Sequence, residues 1–389
     1  MHQQDPGRTA GRTGRRQAPD LIRPAAPPRE ADPVARVGLF HSASLFPHGA
    51  LAMSRPRIHP LQALFGAHEH RPDLPVCDHY AGVEPRMRKA LALQADMADT
   101  ALFDVTLDLE DGAPVGGEPE HARLAAELVS SAANRHGRVG VRVHPYPHPS
   151  FADDVRSLLA GAGERLAYLM IPKAQGVEEL RDAIAAIEAT RREQGLARAV
   201  PVHALVETHG ALRDVQAIAA LPAIESLSFG LMDFVSAHHG AIPAFGMSLA
   251  GQFSHPLVLR AKLEISAACH AAGKLPSHCV VTEYSDTQAI AQAATRASRE
   301  LGYARMWSIH PNQIRPIVEA FAPVPAEIEA ALDILLAAQA ADWAPIAHRG
   351  LLQDRASYRY HWHVLERAAR TGRSLPDTAR SAFFATAAA

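Results

Sequence analysis

Two acidic residues set just past apolar runs could do chemistry together: Glu207 in VHALVETHG and Asp233 in SLSFGLMDF. Both runs read as buried parallel strands, which puts both carboxylates at the carboxyl-terminal rim of one sheet. That rim is where α/β folds assemble their sites. Two carboxylates converging there repel unless a cation lies between them, and a hard divalent ion held by one or two carboxylates plus substrate oxygens describes a magnesium site. Either acid alone could instead cap the helix that follows it. Further polar strand ends argue for a shared site. LDLEDG brings Glu110 and Asp111 to the rim, and IPK brings Lys173. VRVHP brings Arg142, with His144 two residues on and so on the same face of a strand. SIHPNQ adds His310. Arginine suits a fixed, bidentate grip on a carboxylate. Beside a divalent cation it would clamp an α-keto acid or an enolate, whose developing charge needs preorganised positive groups. The plainer readings are an ion pair from Arg142 to Glu110 or Glu207, and helix capping or interface packing for Lys173 and His310.

These residues need a scaffold that brings strand ends together. Eight short β-rich runs, at 76–82, 104–112, 138–145, 166–174, 201–208, 224–230, 277–284 and 304–311, alternate with helical stretches such as EPEHARLAAELVSSAANRHG. The helical stretches place apolar residues three and four apart and stop at glycine. Eight such units over roughly 240 residues predict a (β/α)8 barrel. An open doubly wound sheet is the alternative, but no strand is followed by G-x-G-x-x-G, and no P-loop pattern occurs.

Composition narrows the function. A chain of 389 residues with 48% hydrophobic content can bury a large core. A net charge of −2 offers no electrostatic case for nucleic acid or an anionic membrane surface. No apolar run approaches the length of a membrane span. Cys77, Cys269 and Cys279 form neither a CxxC pattern nor a paired framework, so a reducing, cytoplasmic location is expected.

Three segments follow from these patterns. Residues 1–52 hold seven arginines, no lysine and seven prolines, too little apolar content to offset the entropy of ordering. Residues 1–57 are expected to be a disordered extension or upstream sequence translated ahead of Met53, residues 58–323 the barrel, and 324–389 a helical extension. In that extension 321–341 and 349–372 read as helices, and the tail FFATAAA as frayed. Tyr358, Tyr360 and Trp362 give the second helix an aromatic face, which is expected to pack across a subunit boundary.

LDLEDGAP, the Ala122–Arg123 pair, VRVH, IPKAQGVEEL, LVETHGAL, FGLMDF and IHPNQIRPIVEAFAP occur in order over about residues 75–335. Together they resemble the successive signatures of the HpcH/HpaI aldolase and citrate lyase β-subunit family. The resemblance implies a (β/α)8 barrel that cleaves a carbon–carbon bond in a hydroxy-acyl-CoA or a 4-hydroxy-2-oxo acid through an enolate stabilised by Mg2+. Thioester hydrolysis on the same site, or a non-catalytic barrel subunit, are the alternatives. Carried over by motif, Glu207 and Asp233 match the metal ligands and Arg142 the arginine for the substrate carboxylate. Glu110 and Asp111 match the acidic pair beside it, with Glu110 and Lys173 assigned to substrate and Asp111 to catalysis. The resemblance also implies a homotrimer or higher homo-oligomer with a lid over a neighbouring site. Three departures stand out: His144 replaces an asparagine, CDHYAG replaces an arginine–serine start, and Pro119 lies where a lysine is usual. They point to a substrate unlike citryl- or malyl-thioesters. They also offer His79, His144 or His239 as general base, since neutral imidazole titrates near working pH.

Overall fold

Short apolar runs bounded by proline, glycine and polar clusters become strands here because both of their faces are covered. The computed structural model describes residues 58–66 and 72–384; the expected extension over residues 1–57 lies outside them. Eight parallel strands close into a barrel: β1 (Cys77–Ala81), β2 (Asp104–Asp108), β3 (Val139–Arg142), β4 (Leu169–Ile171), β5 (Val202–Val206), β6 (Ile224–Phe229), β7 (Leu275–His278) and β8 (Arg305–Ser308). The neighbour order is sequential and β1 pairs with β8. The protein is a (β/α)8 barrel. No helix among the described residues is long and apolar enough to cross a membrane.

Side-chain alternation divides the core. Cys77, Val105, Leu107, Val141, Ile171 and Leu227 face outward into the layer shared with the helices. Tyr80, Met170, Leu205 and Trp307 form a separate cluster inside the barrel. Nearer the amino ends of the strands the interior is polar. The Thr106 hydroxyl donates to Asp78 Oδ1 at 2.7 Å, and Arg305 Nη2 donates to Asp104 Oδ2 at 2.6 Å. Tyr168 stacks on His203 with ring centres 3.7 Å apart. Gly140 makes room for this layer, since a Cβ there would meet the Tyr168 ring at 2.2 Å.

The seventh strand differs from expectation. It occupies Leu275–His278 rather than 277–284. Pro276 obscures a strand in the sequence. The apolar CVV run that follows is buried as loop instead, with Cys279 and Val281 packed in the core.

The carboxyl-terminal segment builds a second core. Helices Pro325–Ala340 and Arg355–Arg370 and the short helix Pro60–Leu64 bury Leu335, Trp343, Tyr358, Trp362 and Leu365 together. Two expectations are corrected here. Residues 346–353 form a hairpin, β9 (Ile346–His348) with β10 (Leu351–Gln353), before the second helix begins. Its loop residues Arg349 and Gly350 have φ of 48° and 80°, the double left-handed pattern of a tight hairpin turn. Tyr358 and Trp362 are covered by the chain's own helices, and only Tyr360, on the opposite face, is exposed. The start of the tail also differs, for Phe383 is buried and Phe384 stacks on Trp362 at 5.4 Å, while residues 385–389 lie outside the described residues.

Candidate active site

The carboxyl-terminal mouth of the barrel collects five carboxylates and two cations. Asp108 closes β2, and Glu110 and Asp111 follow in its loop. Arg142 closes β3, Lys173 follows β4 and Glu207 follows β5. Asp233 lies in the first turn of the helix Leu231–Ser236 after β6. Arg142 is clamped by Asp108: its Nε donates to Oδ1 at 2.7 Å and Nη2 bonds the other oxygen. Arg142 Nη1 also lies 3.0 Å from Glu110 Oε2, an ion pair without hydrogen-bond alignment. Below it, the guanidinium carbon sits 5.6 Å from the Tyr80 ring centre, and Tyr80 stacks on Trp307 as the floor of the mouth. Burial opposes the charge of Arg142, but Asp108 outweighs it and holds the guanidinium above its ordinary range.

Lys173 joins the remaining acids. Its ammonium bonds Glu110 and, at 2.7 Å, Asp111 Oδ2, and lies 3.9 Å from Asp233 Oδ1. Burial disfavours the ammonium, yet the bonds to Asp111 and Glu110 more than offset this and raise its pKa. The Lys173 backbone N–H donates to Glu207 Oε1 at 2.7 Å. Glu207 is 2% exposed, and burial together with the charge of Asp233 pushes its pKa up to about 8. Gly230 leaves the space Glu207 fills, because a Cβ there would lie 2.1 Å from Oε2.

With all five acids ionised, three negative charges remain in excess of the two cations, and the raised pKa of Glu207 reflects that excess. A divalent cation answers that excess, and oxygen-only donors on Glu207 and Asp233 suit a hard ion. The residues present therefore fit Mg2+. The two carboxylates alone do not saturate it, so substrate and water oxygens would complete its shell.

The histidines fare unevenly. His79 belongs to the outward face of β1, since its neighbours Asp78 and Tyr80 point inside. Its Nδ1 lies 3.0 Å from the Ser308 hydroxyl and its ring meets Phe103 edge-on. Burial lowers its pKa to about 4. The expectation that His79 serves as base at the mouth is corrected on this geometry. His144 is held by Asp154, whose Oδ2 accepts from its backbone N–H at 3.0 Å and contacts its Nδ1 at 2.6 Å. His238 Nδ1 contacts the Phe234 carbonyl, and His239 takes a left-handed turn with φ of 53°. His310 caps the helix Pro311–Phe321, accepting from Asn312 N–H through Nδ1. Asp108 and Asp154 were not singled out from the sequence. The D-x-E spacing in LDLED, which puts Asp108 and Glu110 on one face, was the available signal for the first.

A closed parallel barrel with an anionic, cation-demanding mouth and an anchored arginine defines an enzyme-type (β/α)8 barrel. The chain belongs to the HpcH/HpaI aldolase/citrate lyase family, whose model matches residues 87–311. A crystal structure of a citrate lyase from Burkholderia xenovorans LB400 is 56% identical, covers 84% of this chain and all of its own, and superposes with a TM-score of 0.74. The L-malyl-CoA/beta-methylmalyl-CoA lyase of Rhodobacter capsulatus is 29% identical over 281 residues, 69% of this chain and 88% of the relative. The protein CitE from Mycobacterium tuberculosis, solved with magnesium, acetoacetate and coenzyme A, shares the fold. It has a TM-score of 0.57 at 22% identity, over 76% of this chain and 98% of its own.

Proposed function

We propose that the protein is a Mg2+-dependent carbon–carbon lyase acting on a hydroxy-acyl-CoA or a 4-hydroxy-2-oxo acid. The observation that carries this reading is the excess of carboxylates around Glu207 and Asp233 beside an anchored Arg142. The names of the similar lyases support it. Magnesium, when bound by Glu207 and Asp233, supplies a Lewis acid for the carbonyl oxygen on which enolate charge develops. Arg142, fixed by Asp108, orients the substrate carboxylate through its remaining N–H donors. Glu110 holds both cations in register and keeps Lys173 and Arg142 apart. Asp111, more than half exposed, faces entering substrate at the rim. His144, with its Nδ1 fixed by Asp154, leaves Nε2 as the group that takes or returns a proton.

We further infer a cytoplasmic homo-oligomer, a trimer or higher. The three free thiols support a reducing compartment. Leu351 and Leu352, 66% and 75% exposed on the hairpin, support a covered surface. Light scattering of the purified chain tests the oligomer, and a monomer would refute it.

The activity is tested by screening hydroxy-acyl-CoA and 4-hydroxy-2-oxo acid panels with Mg2+ and with chelator, measuring the released carbonyl product. Cleavage of one class that disappears with chelator is expected. Thiol release without a carbonyl product would replace the lyase with a thioester hydrolase. Silence of both panels would favour a non-catalytic barrel.

A further inference from the structure

Lys173 combines three features that substrate contact alone does not account for. Its backbone is left-handed, with φ of 55°, a conformation that side-chain-bearing residues rarely adopt. Two bonds fix the peptides on either side of its Cα. The N–H donates to Glu207 at 2.7 Å, and the carbonyl accepts from Gln175 Nε2 at 2.8 Å. The ammonium is spent on acids: it bonds Glu110 and Asp111 and stands 3.9 Å from Asp233. One residue thus touches four of the five carboxylates at the mouth, by main chain on Glu207 and by side chain on Glu110, Asp111 and Asp233.

Lysine suits such a place better than arginine would. Its charge is compact and its four-carbon stem lets the head move several ångströms without disturbing the backbone. The Lys173 side chain is 28% exposed, so a path toward solvent exists. A fixed cation near Asp233 and a divalent ion on Asp233 repel each other, and the repulsion is strong at this separation outside bulk water.

We propose that Lys173 is a displaceable internal cation: with no divalent ion bound its ammonium, held by Glu110 and Asp111, stands within ion-pair distance of Asp233, and binding of the ion drives it farther from Asp233. Lys173 then sets the affinity for the ion and the stability of the ion-free mouth, while its backbone N–H keeps Glu207 in place in both states. This rests on the reading that Glu207 and Asp233 hold the ion. Lys173 is a positioning residue in this account.

The test is calorimetric titration of Mg2+ into the ion-free protein, with thermal melting in parallel. Lys173→Met should bind Mg2+ more tightly, by about tenfold at low salt, because a competing charge is gone. The same variant should melt lower than the unsubstituted protein when ion-free, since a fourth negative charge is left uncompensated, and the gap should close at saturating Mg2+. Lys173→Arg, which retains the charge, should restore most of the original affinity. Unchanged affinity and melting in Lys173→Met overturn the inference, as they would if the residue only contacted substrate. Glu207→Gln separates the two levels of the argument. If Mg2+ still binds to that variant with the original affinity, the metal reading itself fails. If binding is lost there but Lys173→Met is unaltered, only the role of Lys173 fails.

Discussion

The barrel holds two clusters of the same chemical types, and they settle their charge in different ways. Inside, Asp78 and Asp104 face Arg305, and all three are at most 1% exposed. Burial pushes Asp104 up to about 7 against the pull of Arg305, which donates to it at 2.6 Å, so charge there is settled inside the protein. At the mouth, five carboxylates face Arg142 and Lys173, but Asp111, Asp233 and Lys173 reach solvent. A cation can arrive and leave there. Acidic excess that is sealed becomes structure; acidic excess that opens to water becomes a site.

That contrast is most severely challenged by removing its two central groups in turn. Arg305→Ala strands buried carboxylates, and breaking such a pair costs about 3–5 kcal/mol. Chemical denaturation should show the loss, and the specific activity of the folded fraction should be retained. A midpoint equal to that of the unsubstituted protein would show that the interior cluster is no more structural than the mouth. Glu207→Gln should do the reverse. Turnover should drop by about 10²–10³ or more, the scale of losing one preorganised electrostatic group. The ion-free protein should melt at the same temperature or higher, because a repelling carboxylate has been neutralised. Loss of stability alongside activity would erase the distinction.

Arg142→Lys sharpens the comparison at a smaller scale. The bidentate clamp with Asp108 is lost, and a charged hydrogen bond is worth about 1.5–3 kcal/mol, so kcat/KM should fall roughly tenfold or more. Near-normal kinetics would reduce Arg142 to a structural partner of Asp108, like Arg305 with Asp104.

The smallest effect concerns a third buried charge, outside the barrel. Lys262 is fully buried, donates to Gln252 Oε1 at 2.9 Å and lies 2.8 Å from His278 Nε2; neither partner is a carboxylate. Burial lowers its pKa from 10.5 to about 8. Between those values the unfolded chain binds more protons than the folded one, so stability rises with pH across that window. Below pH 8 the folded protein must hold an ammonium in an apolar site. Lys262→Met should therefore raise the melting temperature at pH 7, by about 1 kcal/mol in stability, and flatten the rise above pH 8. A fall at pH 7 with the pH rise intact would mean that its hydrogen bonds outweigh its burial.

Much of this molecule is written locally. Each strand–helix unit is a matter of apolar period and punctuation over a few residues, so eight units could be read from the chain and the barrel follows from their number. The polar group at or just past a strand end must emerge at the carboxyl rim of a parallel sheet, which is why the rim placement of Glu110, Asp111, Arg142, Lys173, Glu207 and Asp233 was legible. Where a reading depended on which face a side chain takes or what lies opposite it, the sequence fell short. His79 sits one position from Asp78 and Tyr80, and that single step sends it to the helix layer rather than the mouth. Asp108 became the clamp on Arg142 through the register of β2 against β3, where the two residues are paired. Asp154 meets His144 only because the helix Phe151–Ala162 folds back over β3. Tyr358 and Trp362 looked like an interface because an aromatic face demands burial, but the partner helix Pro325–Ala340 was already in the chain. Apolar period and strand ends are properties of neighbouring residues, and the sequence alone determines them. Facing, register and the identity of the covering surface depend on chain segments tens to hundreds of residues apart, and only closure of the tertiary structure decides them.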